Sequence, residues 1–194
     1  MRGTAVPTTT KTAPAFDPAR EHYLGGMRRL DELPAPAWLK KLRAAGAAQF
    51  AQTPYPNTKM EEWRETNLAP LIETPYYPLT RMPRHPLAGF DVAPHRLDGW
   101  INLVFVDGFF DEALSDTAAL PKGAAAGSLA RALAGPEEKT VRRHLGTCLG
   151  DRSAFTALNT AFLQDGPYLH VPRGVELDRP VHFLRPLDVR AEGA

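Results

Sequence analysis

The apolar residues near the start of the chain recur at helical spacing. Asp17 can cap a helix and Pro18 suits its first position, so we predict a helix from there to the break at Pro34. One stripe of this helix is apolar and comprises Tyr23, Leu24, Met27 and Leu30. The preceding segment, 1–15, mixes Thr, Pro and Lys with small residues, and we predict it to be disordered.

A second helix is predicted to begin at Pro36 and to pack antiparallel to the first. Its solvent face carries Lys40, Lys41 and Arg43. Its buried face is apolar and comprises Trp38, Leu39, Leu42, Ala45 and Phe50.

One short helix is predicted in the stretch that follows. Thr58 and Glu61 have the spacing of a capping box, and Trp63 and Leu68 would dock the helix. Residues 74–99 are rich in proline and show little periodicity, so we predict an irregular surface connector that contains a domain boundary.

A pair of strands is predicted beyond the connector, within 101–114. Apolar residues dominate its first half, and Asp107-Gly108 is a strong hairpin signal before two phenylalanines. Helical spacing returns at 128–133, capped by Ser128, and at 136–149.

A switch from helical to strand spacing organises the rest of the chain. A helix capped by Ser153 is predicted to end at Asp165-Gly166. Three short strands follow, at 168–171, 175–177 and 181–183. Strands this short, separated by regular turns, predict an array in which each turn of chain stacks on the next.

The composition is that of an ordinary globular protein, since 43% of the 194 residues are hydrophobic and 23% are charged. A net charge of +1 gives no field to hold a polyanion, so nucleic acid is not expected as a partner. No apolar run reaches membrane-spanning length. With a single Cys148 and no apolar signal segment at the N-terminus, we expect a reducing, cytoplasmic setting.

No residue stands out as a metal ligand. Cys148 lies near Leu145 and Leu149 on a predicted helix and is interpreted as a small core residue. Without a CxxC or a close Cys/His pair, we expect no metal or cluster held by this chain alone. His170 and His182 are the one pair that stacked turns would bring together, although hydrogen-bonded or outward-facing imidazoles explain the pattern equally well.

The charged and glycine-rich groups have structural explanations. Glu61 and Glu62 point about 100° apart on a helix, so capping and surface charge are favoured over acid–base chemistry. Lys139 and the run Arg142-Arg143-His144 suit a solvated helix face better than an anion site. The glycines of 123–127 lack phosphate-loop spacing. We therefore assign no catalytic, cofactor-binding or metal-binding residue.

Three stretches, taken in order, resemble one protein family. They are PNTKMEEWRETNL at 56–68, INLVFVDGFFDEALS at 101–115 and FTALNTAFLQDGPYLHVPRGVELDRPVHFL at 155–184. They are similar to the SufB/SufD family of the SUF iron-sulfur cluster assembly system, and the third stretch is the most specific. The portion from Lys59 to Arg64 resembles the SufD branch more than the SufB branch. Glu65 departs from the family, which often has an aromatic residue there.

The resemblance implies an α+β fold with two parts: an N-terminal helical region at 16–95, including the proline-rich connector, and a segment at 96–194. The second part leads into the first rungs of a right-handed parallel β-helix. The family's C-terminal helical domain, which binds the ATPase SufC, is expected to lie beyond this chain, which would then be a fragment. We expect its unpaired strand edges to favour self-association.

The resemblance also implies a function. The protein would be a non-enzymatic scaffold subunit that builds clusters and supports iron acquisition together with SufB and SufC. The iron-sulfur cluster would reside only transiently, on the full complex. Two alternatives stay open. One is a carbohydrate-active β-helix enzyme, although Glu176 and Asp178 are isolated acids, and the other is a plain protein-interaction module.

Overall fold

The computed structural model describes residues 18–74, 76, 79, 91–148 and 153–187. The predicted disordered segment 1–15 lies outside the described residues, and so does most of the connector between 75 and 90.

The described chain contains two groups of three helices, each followed by a group of short strands. The helices are α1 Pro18–Asp31, α2 Ala37–Gln52, α3 Ala69–Glu73, α4 Leu129–Ala134, α5 Glu138–His144 and α6 Ala154–Ala161. The strands are β1 Ile101–Val106, β2 Phe109–Asp111, β3 Ala125–Ser128, β4 Pro167–His170 and β5 Val181–Leu184. Single 3-10 turns lie at Glu61–Trp63, Ala93–His95 and Thr117–Ala119.

The larger sheet has the strand order β2-β1-β5. β1 and β2 form the predicted hairpin, and Asp107 and Gly108 take φ values of 50° and 88°, the pair of positive values that a tight hairpin turn requires. The strands end at Asp111 rather than extending to residue 114 as predicted. β5 joins the other side of β1 in parallel, with Ile101 opposite Val181.

Every residue of β1 is buried, because both faces of this central strand are covered. Leu103 and Phe105 pack with Phe110 on one face, while Val104 and Val106 pack on the other with Val92 and Leu184. This double burial explains why every residue of the run except Asn102 is apolar.

The second sheet is an antiparallel pair of β3 and β4, with Ala125 opposite His170. Two of the three strands predicted as a stacked array therefore lie in different sheets, and 175–177 is not a strand. β3 was not predicted, because its small residues, AAGS, carry no strand signal. Whether further strands extend the parallel β1–β5 pair into a β-helix stays a prediction.

The helical core lies between α2 and α6. A Cβ at Gly46 of α2 would lie 2.8 Å from the backbone nitrogen of Ala161, so the two helices approach as closely as glycine permits. The buried core is completed by Met27, Phe50, Ala154, Ala157 and Ala161. Trp63 lies 6.3 Å from Phe155 between ring centroids, which places it against this core as predicted.

Arg43 is buried, and the prediction that it faces solvent is wrong. Only 6% of it is exposed, and its Nε donates to the carbonyl oxygen of Leu163 at 2.6 Å, just beyond the end of α6. Burial lowers the pKa of its guanidinium, and the charge of Asp31 opposes that shift. Ala45, predicted to be buried, is exposed. The buried face of α2 is rotated because α6, more than 100 residues away in sequence, packs against it.

The predicted capping box of Thr58 and Glu61 is also wrong. Asn57 Oδ1 accepts a hydrogen bond from the backbone nitrogen of Lys59 at 3.0 Å, and no side chain caps the 3-10 turn that follows. Glu61 instead pairs with Arg64 at 3.2 Å on the surface. An Asn side chain that bonds to the backbone two residues later makes a turn, which competes with helix initiation.

The helix predicted at 136–149 is shorter, because α5 ends at His144. Gly146 has a φ of 74° and its backbone lies against Leu42 of α2, so the chain leaves the helix there. Cys148 consequently lies beyond the helix and is exposed, so its interpretation as a core residue is wrong.

α6 ends at Ala161, four residues before the predicted stop at Asp165-Gly166. Asp165 has a different role: its carboxylate accepts from the hydroxyl of Ser128 at 2.8 Å and from the backbone nitrogen of Ala130 at 3.0 Å. This residue therefore connects the segment after α6 to the start of α4. None of the described helices is long and apolar enough to cross a membrane.

Candidate functional site

The outer edge of β5 is the first candidate site. β5 ends the larger sheet, and among the described residues only β1 pairs with it. Phe183 is 38% exposed although its ring lies 6.3 Å from that of Phe105, and Leu187 just beyond is 70% exposed. An unpaired edge with exposed apolar side chains can accept another strand.

A buried polar cluster holds this edge strand in place. Asn102 of β1 is 3% exposed, and its side-chain oxygen accepts from the backbone nitrogen of Leu97 at 2.9 Å. Its side-chain nitrogen donates to Asp116 Oδ2 at 3.1 Å. His182 Nδ1 of β5 lies 3.1 Å from the same Asn102 oxygen. The cluster therefore joins the end of the connector, β1 and β5.

Asp116 is the anionic member of this cluster. Its backbone nitrogen donates to the carbonyl oxygen of Asn102 at 2.8 Å, and Arg96 forms an ion pair with its carboxylate. Burial alone would raise the pKa of this carboxyl. The hydrogen bonds from Asn102 and the charge of Arg96 outweigh that effect, so the pKa lies below its ordinary value.

A second polar cluster lies between α5 and β4. The hydroxyl of Tyr168 donates to Glu137 Oε2 at 2.8 Å, and His170 Nδ1 lies 3.3 Å from the same oxygen. Burial, the hydrogen bond and the charge of Glu137 raise the pKa of Tyr168 to about 12. The neighbouring Glu138 accepts from Trp38 Nε1 at 2.7 Å, which ties α5 to α2.

The structure does not bring the two candidate histidines together. His170 and His182 belong to strands of different sheets, and their neighbours are Glu137 and Asn102 respectively. Within the described ranges, no group of three or more His, Cys, Asp or Glu is arranged to hold a metal ion.

The other candidate side chains of the sequence lie at separate surface positions. Arg143 Nε donates to His144 Nε2 at 3.1 Å on the exposed end of α5. Exposed positions are also found for Glu61, Glu62, Lys139, Arg142, Cys148, Glu176 and Asp178. Gly127, in β3, has a φ of 148°, and a Cβ there would lie 3.4 Å from the ring of Phe110.

The two predicted serine caps are confirmed. Ser128 Oγ accepts from the backbone nitrogen of Arg131 at 3.1 Å, and Ser153 Oγ accepts from that of Thr156 at 3.1 Å. The polar clusters around Asn102 and Glu137 were missed by the sequence analysis. A polar residue inside the apolar run 101–106 was the one signal that pointed to Asn102.

Comparison with known proteins gives the family of the chain. The family described as SufBD protein N-terminal region matches residues 26–183, well over half of the chain. The chain belongs to the SufBD family. A curated SufBD relative, an iron-sulfur cluster assembly SufBD family protein of Synechocystis sp., is 34% identical over 82 residues.

That match covers 42% of this chain and 18% of the Synechocystis protein, so the chain spans only a small part of its SufBD relative. The SufBD match extends from α1 to β5, and both polar clusters lie inside it. The family resemblance inferred from the three sequence stretches is thereby confirmed at the level of the SufBD family.

Proposed function

We propose that this chain is the N-terminal part of a non-enzymatic scaffold subunit for iron-sulfur cluster assembly in the cytoplasm. Its membership of the SufBD family over residues 26–183 carries this proposal. The printed name of the Synechocystis relative, an iron-sulfur cluster assembly protein, supports it. In this proposal the chain supplies architecture, and iron and the assembled cluster are cargo of a larger complex.

Within the family, the chain is proposed to be of the SufD type. This assignment rests on the sequence from Lys59 to Arg64. In the structure Trp63 anchors this stretch against Phe155, while the flanking charged side chains remain exposed. A stretch held by one half-buried aromatic residue can present Glu61 and Glu62 to a partner, which gives the motif a recognition role.

The proposed architecture continues the sheet at β5. β5 pairs in parallel with β1, and parallel neighbours of this kind are the unit from which a right-handed β-helix is built. The next strand is expected to add to the outer edge of β5 and to cover Phe183. The cluster around Asn102 would then fix the register of the first rung, because a slip of one residue would bury the wrong face.

The proposed partners are SufB, through the β-helix, and the ATPase SufC, through a region beyond this chain. The test is co-expression of the complete protein with SufB and SufC, followed by anaerobic purification under reducing conditions. A stable complex that assembles an iron-sulfur cluster is expected. If the three proteins fail to associate under these conditions, the scaffold proposal is wrong.

A pair of variants makes the test specific to the sheet edge. Phe183→Asp puts a charge at the edge of β5, where the next strand would cover it, and should weaken association with SufB. Leu71→Asp makes the same kind of change at a residue of α3 that is 45% exposed, and association should be unaffected. If both variants lost SufB association equally, the edge of β5 would not be the surface that SufB association depends on.

A further inference from the structure

A groove runs along the outer edge of β4. It has a volume of about 340 Å³, and all four residues of β4, Pro167 to His170, line it, whereas no residue of β3 does. Successive residues of a strand point to opposite faces of the sheet. A groove that touches every residue of β4 therefore follows the strand edge, on the side away from β3.

The main chain of β4 is open on this side. Within the described part of the chain, β4 has β3 as its single strand partner, and no other described backbone group bonds to Tyr168, Leu169 or His170 across the groove. A strand edge of this kind presents N–H and C=O groups to any extended segment that approaches.

The opposite wall of the groove is formed by Thr140, Val141 and His144 of α5 and by Leu145, the residue that follows the helix. These positions recur at helical spacing, so one face of the helix looks onto the strand edge. Leu129 completes an apolar lining, and Leu169 is 37% exposed within it. An edge strand facing a helix across an apolar groove is the arrangement in which peptides bind by strand addition.

The charge around the groove favours an acidic ligand. Of the nine lining residues none is acidic and two are histidines. Arg143 donates to His144, which brings a guanidinium to the rim. Glu137, which precedes α5, does not line the groove, and its Oε2 already accepts from the hydroxyl of Tyr168 and lies 3.3 Å from His170 Nδ1.

We propose that this groove binds an extended segment of a partner protein in which apolar side chains alternate with acidic ones. The segment adds as a strand to β4, places an apolar side chain against Leu129 and Leu145, and directs a carboxylate toward Arg143 and His144. The groove volume is near the small end for binding pockets, about 300–1,000 Å³, which suits one or two side chains. This inference does not depend on the proposed scaffold function, because it concerns a different sheet.

The first experiment titrates the protein with a blocked seven-residue peptide that alternates glutamate with valine. Backbone amide shifts should concentrate at 140–145 and 168–170. The same peptide with lysine in place of glutamate should bind at least about tenfold more weakly. A version with N-methylated valines, which cannot complete a β ladder, should lose binding as well. Equal binding of the acidic and basic peptides, or of the methylated one, would overturn the proposal.

Matched variants locate the charge that recognises the peptide. Arg143→Ala should weaken binding of the acidic peptide about threefold to tenfold. Arg142→Ala removes an equal charge. Neither arginine lines the groove itself, but Arg143 is the one that donates to a lining residue, His144, so the effect of Arg142→Ala should be much smaller. Two results would overturn the proposal. One is the absence of amide shifts at 168–170 with millimolar peptide, and the other is protection of these amides by self-association of the chain at high concentration.

Discussion

His182 Nδ1 of β5 donates a hydrogen bond to Asn102 Oδ1 of β1 at 3.1 Å, and the two residues are register partners in the parallel ladder. The backbone nitrogen of Leu97 donates to the same oxygen, so this oxygen is an acceptor and the proton lies on the imidazole nitrogen. A side-chain bond thus marks the register that the backbone pairing has adopted.

Replacing Asn102 should strongly destabilise the protein. Asn102→Leu removes the side-chain partner of the Leu97 backbone and of the His182 imidazole, and it leaves the carboxylate of Asp116 with one hydrogen bond fewer. We expect a loss of about 3 kcal/mol in the free energy of unfolding, measured in urea. The control, Asn159→Leu, changes an exposed residue of α6 and should cost less than about 0.5 kcal/mol. Similar losses in the two variants would refute the role of the cluster.

Two glycines in helices should respond oppositely to alanine. At Gly46 a Cβ would lie 2.8 Å from Ala161 N and 3.0 Å from Thr160 Cβ. Gly46→Ala should therefore force α2 and α6 apart and lower the free energy of unfolding by about 2 kcal/mol. A Cβ at Gly25 would have no atom within 4 Å. Gly25→Ala should therefore raise the free energy of unfolding by about 0.5–1 kcal/mol, because alanine has the higher helix propensity. Thermal unfolding of both variants measures this contrast. A stabilising Gly46→Ala would show that the helices are not in tight contact.

Elements determined by local sequence could be predicted, and elements determined by distant partners could not. The first two helices, the hairpin turn at Asp107-Gly108 and the caps at Ser128 and Ser153 depend on residues a few positions apart, and the structure has them. Helical spacing predicts that Arg43 faces solvent, because spacing alone cannot show that α6 and the residues after it pack on that face of α2.

The candidate sites were the least predictable part. Strand spacing correctly placed β4 and β5, but it could not show that they join different sheets, because each pairs with a strand formed far earlier in the chain. Each polar cluster includes a contact between residues far apart in sequence: Glu137 and Tyr168 are 31 positions apart, and Asn102 and His182 are 80 positions apart. Contacts of that length leave no periodic signal in the sequence.

Removing the carboxylate of Asp165 should loosen the start of α4. Asp165→Ala deprives the hydroxyl of Ser128 and the backbone nitrogen of Ala130 of their acceptor. We therefore expect the free energy of unfolding, measured in urea, to fall by about 2 kcal/mol. Hydrogen exchange should also speed up at the amides of α4. Asp178→Ala is the control, since that exposed carboxylate makes only a 4.0 Å contact with Arg179, and it should have little effect. Unchanged exchange in α4 would contradict the role given to Asp165.

The raised pKa of Tyr168 predicts a loss of stability in alkaline solution. A tyrosine titrates near about 10 in an unfolded chain, whereas the fold holds the pKa of Tyr168 at about 12. The folded state therefore keeps a proton that the unfolded state gives up. This contribution is complete below about pH 10 and is lost as pH rises to about 12. Tyr168→Phe should remove this part of the pH dependence from urea unfolding curves.

The neighbouring carboxylate should account for only part of that shift. Glu137→Gln removes the negative charge beside Tyr168, so the pKa of the phenol should fall, as measured from tyrosinate absorbance. It should not reach its ordinary value, because burial is the largest cause of the shift and remains. Glu138→Gln is the matched control, since that carboxylate binds Trp38 instead and the pKa of Tyr168 should stay near 12. If both variants left the titration unchanged, Glu137 would not be ionised beside Tyr168, and the α5–β4 contact would depend on packing rather than on charge.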